Sequence, residues 1–172
     1  MSPTLKSSLF VVAIVVGLVA SGREARAQVT YVGTFALTNG ASIKCLTNLE
    51  IQGARGIAVG RSPWAAVPDQ EWAFFLLPNG FFAIMNVKNT LFLENSVGGL
   101  GTFRIDQDAW KADLNQMWYL YPLGNQFYAL VNVGTGLMLT DPNTSSANGT
   151  AVEGDQWVDT LNQWWYFYFL FK

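Results

Sequence analysis

The chain has 172 residues, a net charge of −2, 15% aromatic content, one cysteine and no histidine. A charge this small, without a basic cluster, argues against nucleic acid or an anionic membrane as partner. The missing histidine removes the commonest general base and metal ligand, so no His-dependent catalysis, no cofactor and no enzymatic activity are expected.

Residues 1–27 read as a secretory signal peptide. Lys6 supplies the positive charge, Leu9 to Ala20 is an apolar run, and Ala25-Arg26-Ala27 offers a small-x-small cleavage site. The run of 12 residues is shorter than the roughly 20 that a membrane-crossing helix needs. A secreted, extracellular protein without a membrane span is therefore expected after cleavage. Residues 28–172 then form a mature chain of 145 residues with a net charge of −4, since three basic residues and one acidic residue leave with the signal. That is the size of one domain.

The mature chain repeats itself three times, over approximately 30–77, 78–123 and 124–172. Each repeat opens with an aromatic-x-Leu/Ile-x-Asn segment: Phe35, Leu37 and Asn39, then Phe82, Ile84 and Asn86, then Tyr128, Leu130 and Asn132. Leu46, Leu93 and Leu139 close the second segment of each. Val59, Ile105 and Val152 follow, each five residues before Trp64, Trp110 or Trp157. Six residues further on come Gln70-Glu71-Trp72, Gln116-Met117-Trp118 and Gln163-Trp164-Trp165, preceded by Asp69, Asn115 and Asn162. Cys45 aligns with Phe92 and Met138, which predicts a buried thiol rather than an intermolecular link.

The apolar runs are short, aromatic and β-branched, and broken by Gly, Asn, Pro and Asp, so each repeat reads as four strands. In repeat three these run roughly from Phe127 to Val133, Leu137 to Thr140, Thr150 to Gly154 and Trp164 to Phe171. A single helical turn is the most that precedes each Gln. Units of this kind cannot bury their faces alone, so they close around a shared axis. The expectation is an all-β β-trefoil with pseudo-threefold symmetry, a six-strand barrel capped by three hairpins. Trp72, Trp118 and Trp165 should fill its centre, with Phe74, Leu120 and Phe167 two residues on along the same face.

Repeats of this form, ending in Gln-x-Trp, resemble the ricin-B-type lectin domains. The match is best from Tyr128 to Trp165, where Leu130, Asn132, Gly136, Leu139, Gly149, Val152, Asn162, Gln163 and Trp165 stand where that family's repeat places them. The resemblance implies carbohydrate binding at one to three shallow sites, with glycans or glycoproteins as partners. Carried over by position, repeat one offers Asn48, Trp64, Asp69 and Gln70. Repeat two offers Glu94, Asn95, Trp110, Asn115 and Gln116, and repeat three offers Asp141, Trp157, Asn162 and Gln163. Two departures stand out. The family's sugar-binding Asp directly follows the Leu of the second strand, where this chain has Thr47, Glu94 and Thr140, and its stacking aromatic lies further upstream than the three Trp here.

β-Trefoils also serve as protease inhibitors and protein-interaction modules, and the longest predicted loops, Gln52 to Pro63 and Asp141 to Gly149, are the candidates for such a role. Asn143 and Asn148 lie in glycosylation sequons. On the last strand, Trp165, Phe167 and Phe169 should point inward and Trp164, Tyr166 and Tyr168 outward, with Phe75, Met117, Tyr119 and Tyr121 at equivalent outward positions. So large an aromatic surface predicts a homodimer or a protein partner.

Overall fold

Short aromatic and β-branched runs between turn residues form 13 strands in the computed structural model, which describes residues 28–52, 57–97, 103–142 and 146–171. The signal segment 1–27 and the sequon at Asn143 lie outside the described residues. Repeat one supplies β1 (Thr30–Asn39), β2 (Cys45–Gln52), β3 (Ile57–Ser62) and β4 (Trp72–Leu76). Repeat two supplies β5 (Phe82–Asn86), β6 (Phe92–Val97), β7 (Phe103–Asp108) and β8 (Trp118–Gly124). Repeat three supplies β9 (Phe127–Asn132), β10 (Met138–Thr140), β11 (Thr150–Ala151), β12 (Glu153–Asp155) and β13 (Trp165–Phe169). Its third strand is split in two at Val152, which explains 13 segments where 12 are predicted. The loop predicted from Gln52 to Pro63 is largely the strand β3, because β-branched Ile57 and Val59 pair with β2 and β7.

β1, β4, β5, β8, β9 and β13 pair antiparallel in a closed ring, each repeat giving its first and last strand to the barrel. Closure removes the exposed edges that an open sheet would leave. The remaining strands form three hairpins, joined to one another through β3–β7, β7–β12 and β3–β11. This is the β-trefoil that the repeats predict. No helix of the described residues is long and apolar enough to cross a membrane.

Trp72, Trp118 and Trp165 are fully buried and meet in one core with Leu37, Ile84, Leu130 and the Leu and Val/Ile of the hairpins. Their indole N–H groups donate to equivalent carbonyls, Leu46 at 3.0 Å, Leu93 at 2.9 Å and Leu139 at 2.8 Å. Three large rings can share one centre because each polar N–H has a partner; a buried unpaired donor would be costly. Phe74 joins this core, and Leu120 and Phe167 pack against it half-buried. At two positions along the strands the exposure departs from what alternation predicts. Phe169 keeps the inward alternation, its ring 5.3 Å from that of Phe35, yet it is 44% exposed because the barrel ends there. Met117 points outward as expected but is buried, being covered by Leu77, Phe75 and Phe92 in a second apolar cluster.

Neighbouring repeats are stapled by the Asn of each opening strand. Asn86 donates to the carbonyl of Asp69 at 3.0 Å, Asn132 to that of Asn115 at 2.7 Å, and Asn39 to that of Asn162 at 2.9 Å, which closes the circle from repeat one to repeat three. The same side chains accept from the turn that follows them, as Asn132 does from Gly134 and Thr135. All three are buried. Asn132→Ala is therefore expected to cost about 1–3 kcal/mol by leaving buried groups unpaired. The urea midpoint should fall with an unchanged slope, and an unaltered midpoint would contradict the staple.

Candidate functional site

Each Gln-x-Trp is entered through one turn of 3-10 helix, Pro68–Gln70, Leu114–Gln116 and Leu161–Gln163, as the single predicted turn requires. The turn aims the Gln side chain inward, where its amide grips the two residues that flank the upstream Trp. Gln70 donates to the Pro63 carbonyl at 2.7 Å and accepts from the Ala65 N–H at 2.7 Å, around Trp64. Gln116 does the same with Ala109 at 2.8 Å and Lys111 at 2.7 Å, around Trp110. Gln163 does so with Gln156 at 2.6 Å and Val158 at 2.8 Å, around Trp157. Two residues after each Trp the backbone turns left-handed, at Ala66, Ala112 and Asp159, with φ of +52°, +58° and +52°. The clamp and the turn together hold each indole at the surface, 45%, 38% and 39% exposed in chain order.

The polar candidates lie elsewhere. Asn48, Asn95 and Asp141 occupy equivalent buried positions facing the next repeat, and each meets a different partner. Asn48 accepts from Gln107 at 3.1 Å. Asn95 donates to Thr135 at 2.9 Å and lies against Gly154, where a Cβ would come within 2.4 Å of its amide nitrogen. Asp141 pairs with Arg61 in a buried ion pair. The three Gln are likewise sealed inside. Asp69, Asn115 and Asn162 are half-buried. Asp69 reaches Lys88 at 3.4 Å and Asn48 at 3.3 Å. Glu94 is buried against Lys111 at 3.4 Å, and Lys111 also bonds Asp108 at 2.6 Å. That bond holds the Asp108 carboxyl below the ordinary carboxylate range and pushes the Lys111 ammonium up.

The exposed Trp instead border three equivalent positions on the barrel's outer wall, between the last strand of one repeat and the first two strands of the next. The floor is Ala36, Ala83 or Ala129, and beside it lies Cys45, Phe92 or Met138. The middle residue of Gln-x-Trp stands at the side: Glu71, Met117 or Trp164. In repeat three this leaves a groove of about 620 Å³ with Trp157, Trp164, Tyr121 and Asp159 on its walls. The Trp164 indole donates to the Asp159 carboxylate at 3.3 Å. In repeat one it leaves a groove of about 690 Å³ with Trp64, Glu71, Tyr168, Phe169 and Phe171. In repeat two Met117, Phe92 and Phe75 pack into the same space, and the Phe92 ring lies 4.9 Å from that of Trp110. Trp164, Tyr121 and Asp159 are not among the sites predicted from the sequence; the repeated position inside Gln-x-Trp is the signal that marks Trp164. Among the described residues no His/Cys/Asp/Glu group could hold a metal ion.

A threefold barrel with a buried tryptophan from each repeat at its centre defines a β-trefoil, and comparison with known proteins agrees on the fold. Residues 114–169 match the family described as ricin-type beta-trefoil lectin domain-like, so the resemblance read from the repeats holds for the end of repeat two and nearly all of repeat three. No curated protein sequence matches the chain. Among solved structures, the designed threefold symmetric protein ThreeFoil is similar with a TM-score of 0.72 at 23% identity, over 81% of this chain and all of that one. The Rhizoctonia solani agglutinin is similar with a TM-score of 0.69 at 18% identity, over 80% of this chain and 95% of that one. SeviL, solved bound to asialo-GM1 saccharide, is similar with a TM-score of 0.63 at 17% identity, over 81% of this chain and 99% of that one. At these identities the likeness shows the fold.

Cys45 lies at the bottom of the repeat-one groove and is 2% exposed. Burial pushes its thiol up, although the contact with Thr38 Oγ1 acts the other way. Since the thiolate is the nucleophile, Ellman's reagent should react slowly with the native protein and rapidly in urea. Equal rates in both conditions would contradict the burial.

Proposed function

We propose that the chain is a secreted, non-catalytic carbohydrate-binding protein, and that its glycan docks in the groove of repeat three. The observation that carries this reading is the meeting of Trp157, Trp164 and Tyr121 with the Asp159 carboxylate in one open groove. A pyranose has a C–H face that lies on an aromatic ring and hydroxyls that seek acceptors. Two indoles and a phenol offer the rings. A carboxylate retains acceptor capacity beyond the one bond it takes from Trp164. The groove's size falls within the range of small-ligand sites.

The absence of histidine from the sequence and the burial of Asp141, Glu94 and Asp106 argue for binding rather than hydrolysis, since a glycosidase needs two accessible carboxyl groups. The saccharide bound by SeviL, a protein of the same fold, supports glycans as the ligand class. The signal-like residues 1–27 support secretion. Each hydrogen bond contributes about 0.5–1.5 kcal/mol, so a single open groove should bind in roughly the millimolar range, corresponding to about −4 kcal/mol.

A glycan array probed with the protein in multivalent form tests this. The native protein is expected to bind a defined subset of glycans, and Trp157→Ala to lower that signal by about tenfold, equivalent to about 1.4 kcal/mol. Trp157 is largely outside the core, so the thermal midpoint should stay within a few degrees. A blank array at high protein density would sink the reading.

A further inference from the structure

We infer that the outer wall of repeat one is a self-association face. Two copies of the chain pair across a two-fold axis, each placing its Phe171 in the other's groove beside Trp64 and Tyr168. The inference stands on apolar surface and shape, and it does not depend on repeat three binding a glycan.

The three walls of the barrel are equivalent, and repeat two shows what it takes to finish one. There Met117 lies on the wall, and Leu77, Phe75 and Phe92 close over it from within the same chain. In repeat one Cys45 and Glu71 stand where repeat two has Phe92 and Met117. Both are buried, so neither reaches out to fill the groove. The groove stays open at about 690 Å³. It is bordered by large apolar side chains left in contact with water: Ile43 is 70% exposed, Trp64 45%, Tyr168 62%, Phe169 44% and Phe171 91%.

This aromatic edge is held in place. Gly33 lets the Phe169 ring lie against β1, where a Cβ would come within 2.6 Å of it. The Leu170 N–H donates to the Thr34 carbonyl at 2.9 Å. The Phe171 ring then meets that of Phe169 edge-on at 4.7 Å. Side chains already set in position lose little freedom when a partner covers them.

A protruding ring beside a groove makes a surface that can match itself. Under a two-fold axis, the contact that one copy's Phe171 makes in its partner's groove is returned. The area suffices as well. These side chains expose roughly 600 Å² together, given that a whole aromatic side chain buries about 150–250 Å². A standard interface takes about 800 Å² from each partner, a little over half of it apolar. Among the described residues no basic one lines the groove, which leaves nothing to draw an acidic partner or an anionic membrane. Glu71, the acidic one, is buried and already has a partner, so two copies bring no like charges together there.

Sedimentation equilibrium tests the pairing. Twice the monomer mass is expected at micromolar concentration. Phe171→Asp should raise the dimer dissociation constant by about 100-fold or more, because a substitution enters a two-fold interface twice. Phe171 is exposed in the single chain, so the variant's circular dichroism should stay native. Leu114→Asp, at an exposed apolar residue of repeat two, should leave the dimer intact. By NMR the Trp64 indole N–H resonance, assigned by substitution, should move on dilution while that of Trp157 stays still. A monomer at the highest soluble concentration would overturn the inference. So would a dimer that Phe171→Asp leaves intact, since another face would then hold it. Growth beyond the dimer would overturn the two-fold arrangement, because a head-to-tail contact does not close on itself in pairs. A monomer that instead floats with phosphatidylcholine vesicles, and loses them with Phe171→Asp, would overturn it in favour of a lipid surface.

Discussion

The side-chain amides of Gln70, Gln116 and Gln163 are sealed from water, and each bridges the two residues on either side of a tryptophan in an otherwise exposed loop. An amide offers an acceptor and two donors, and leaving any of them buried without a partner costs about 1–3 kcal/mol. The loop therefore cannot move away without stranding the glutamine. That constraint explains why the Trp64, Trp110 and Trp157 rings stand at defined places on the outer wall. The grooves derive their shape from it, and the core derives its closure, because the indole two residues after each glutamine carries the centre of the barrel.

Threefold symmetry governs what is buried and relaxes where the surface begins. The central tryptophans, the stapling asparagines and the clamping glutamines are the same in every repeat. One buried polar position between repeats is solved in three ways: Asn48 with Gln107, Asn95 beside Gly154, and Asp141 with Arg61. The ion pair is the costliest of these to desolvate and the most damaging to break on one side. On the outer wall the divergence goes further. Residues as different as Glu71, Met117 and Trp164 share one backbone position, and the result is two open grooves and one filled with protein.

Much of this was legible in the sequence because it depends on spacing within one repeat. The Gln-x-Trp signature, the Asn of each first strand and the Leu of each second strand recur in phase, so the trefoil, its core and the buried Cys45 follow from them. The candidate polar residues were less legible because their surroundings come from another repeat. Asp141 looks available in its own strand until Arg61, 80 residues earlier, is placed against it. Met117 reads as outward by alternation, and it does point away from the barrel's interior. Leu77, Phe75 and Phe92, all outside its own Gln-x-Trp segment, are what cover it. Phe169 follows the inward alternation but lies where the barrel ends. Periodicity assigns a face; it does not say what covers that face. The three Trp were recognised as a set, and only the packing at Phe92 separates Trp110 from the other two.

The clamp is tested most directly by hydrogen exchange at three backbone amides, those of Ala65, Lys111 and Val158. All three residues are exposed, yet each N–H donates to a buried glutamine oxygen. The account predicts protection comparable to that of the barrel strands, because exchange would require the glutamine to be released. Exchange at the rate of an unrestrained surface loop would contradict it, and with it the claim that the tryptophans are held in place from within.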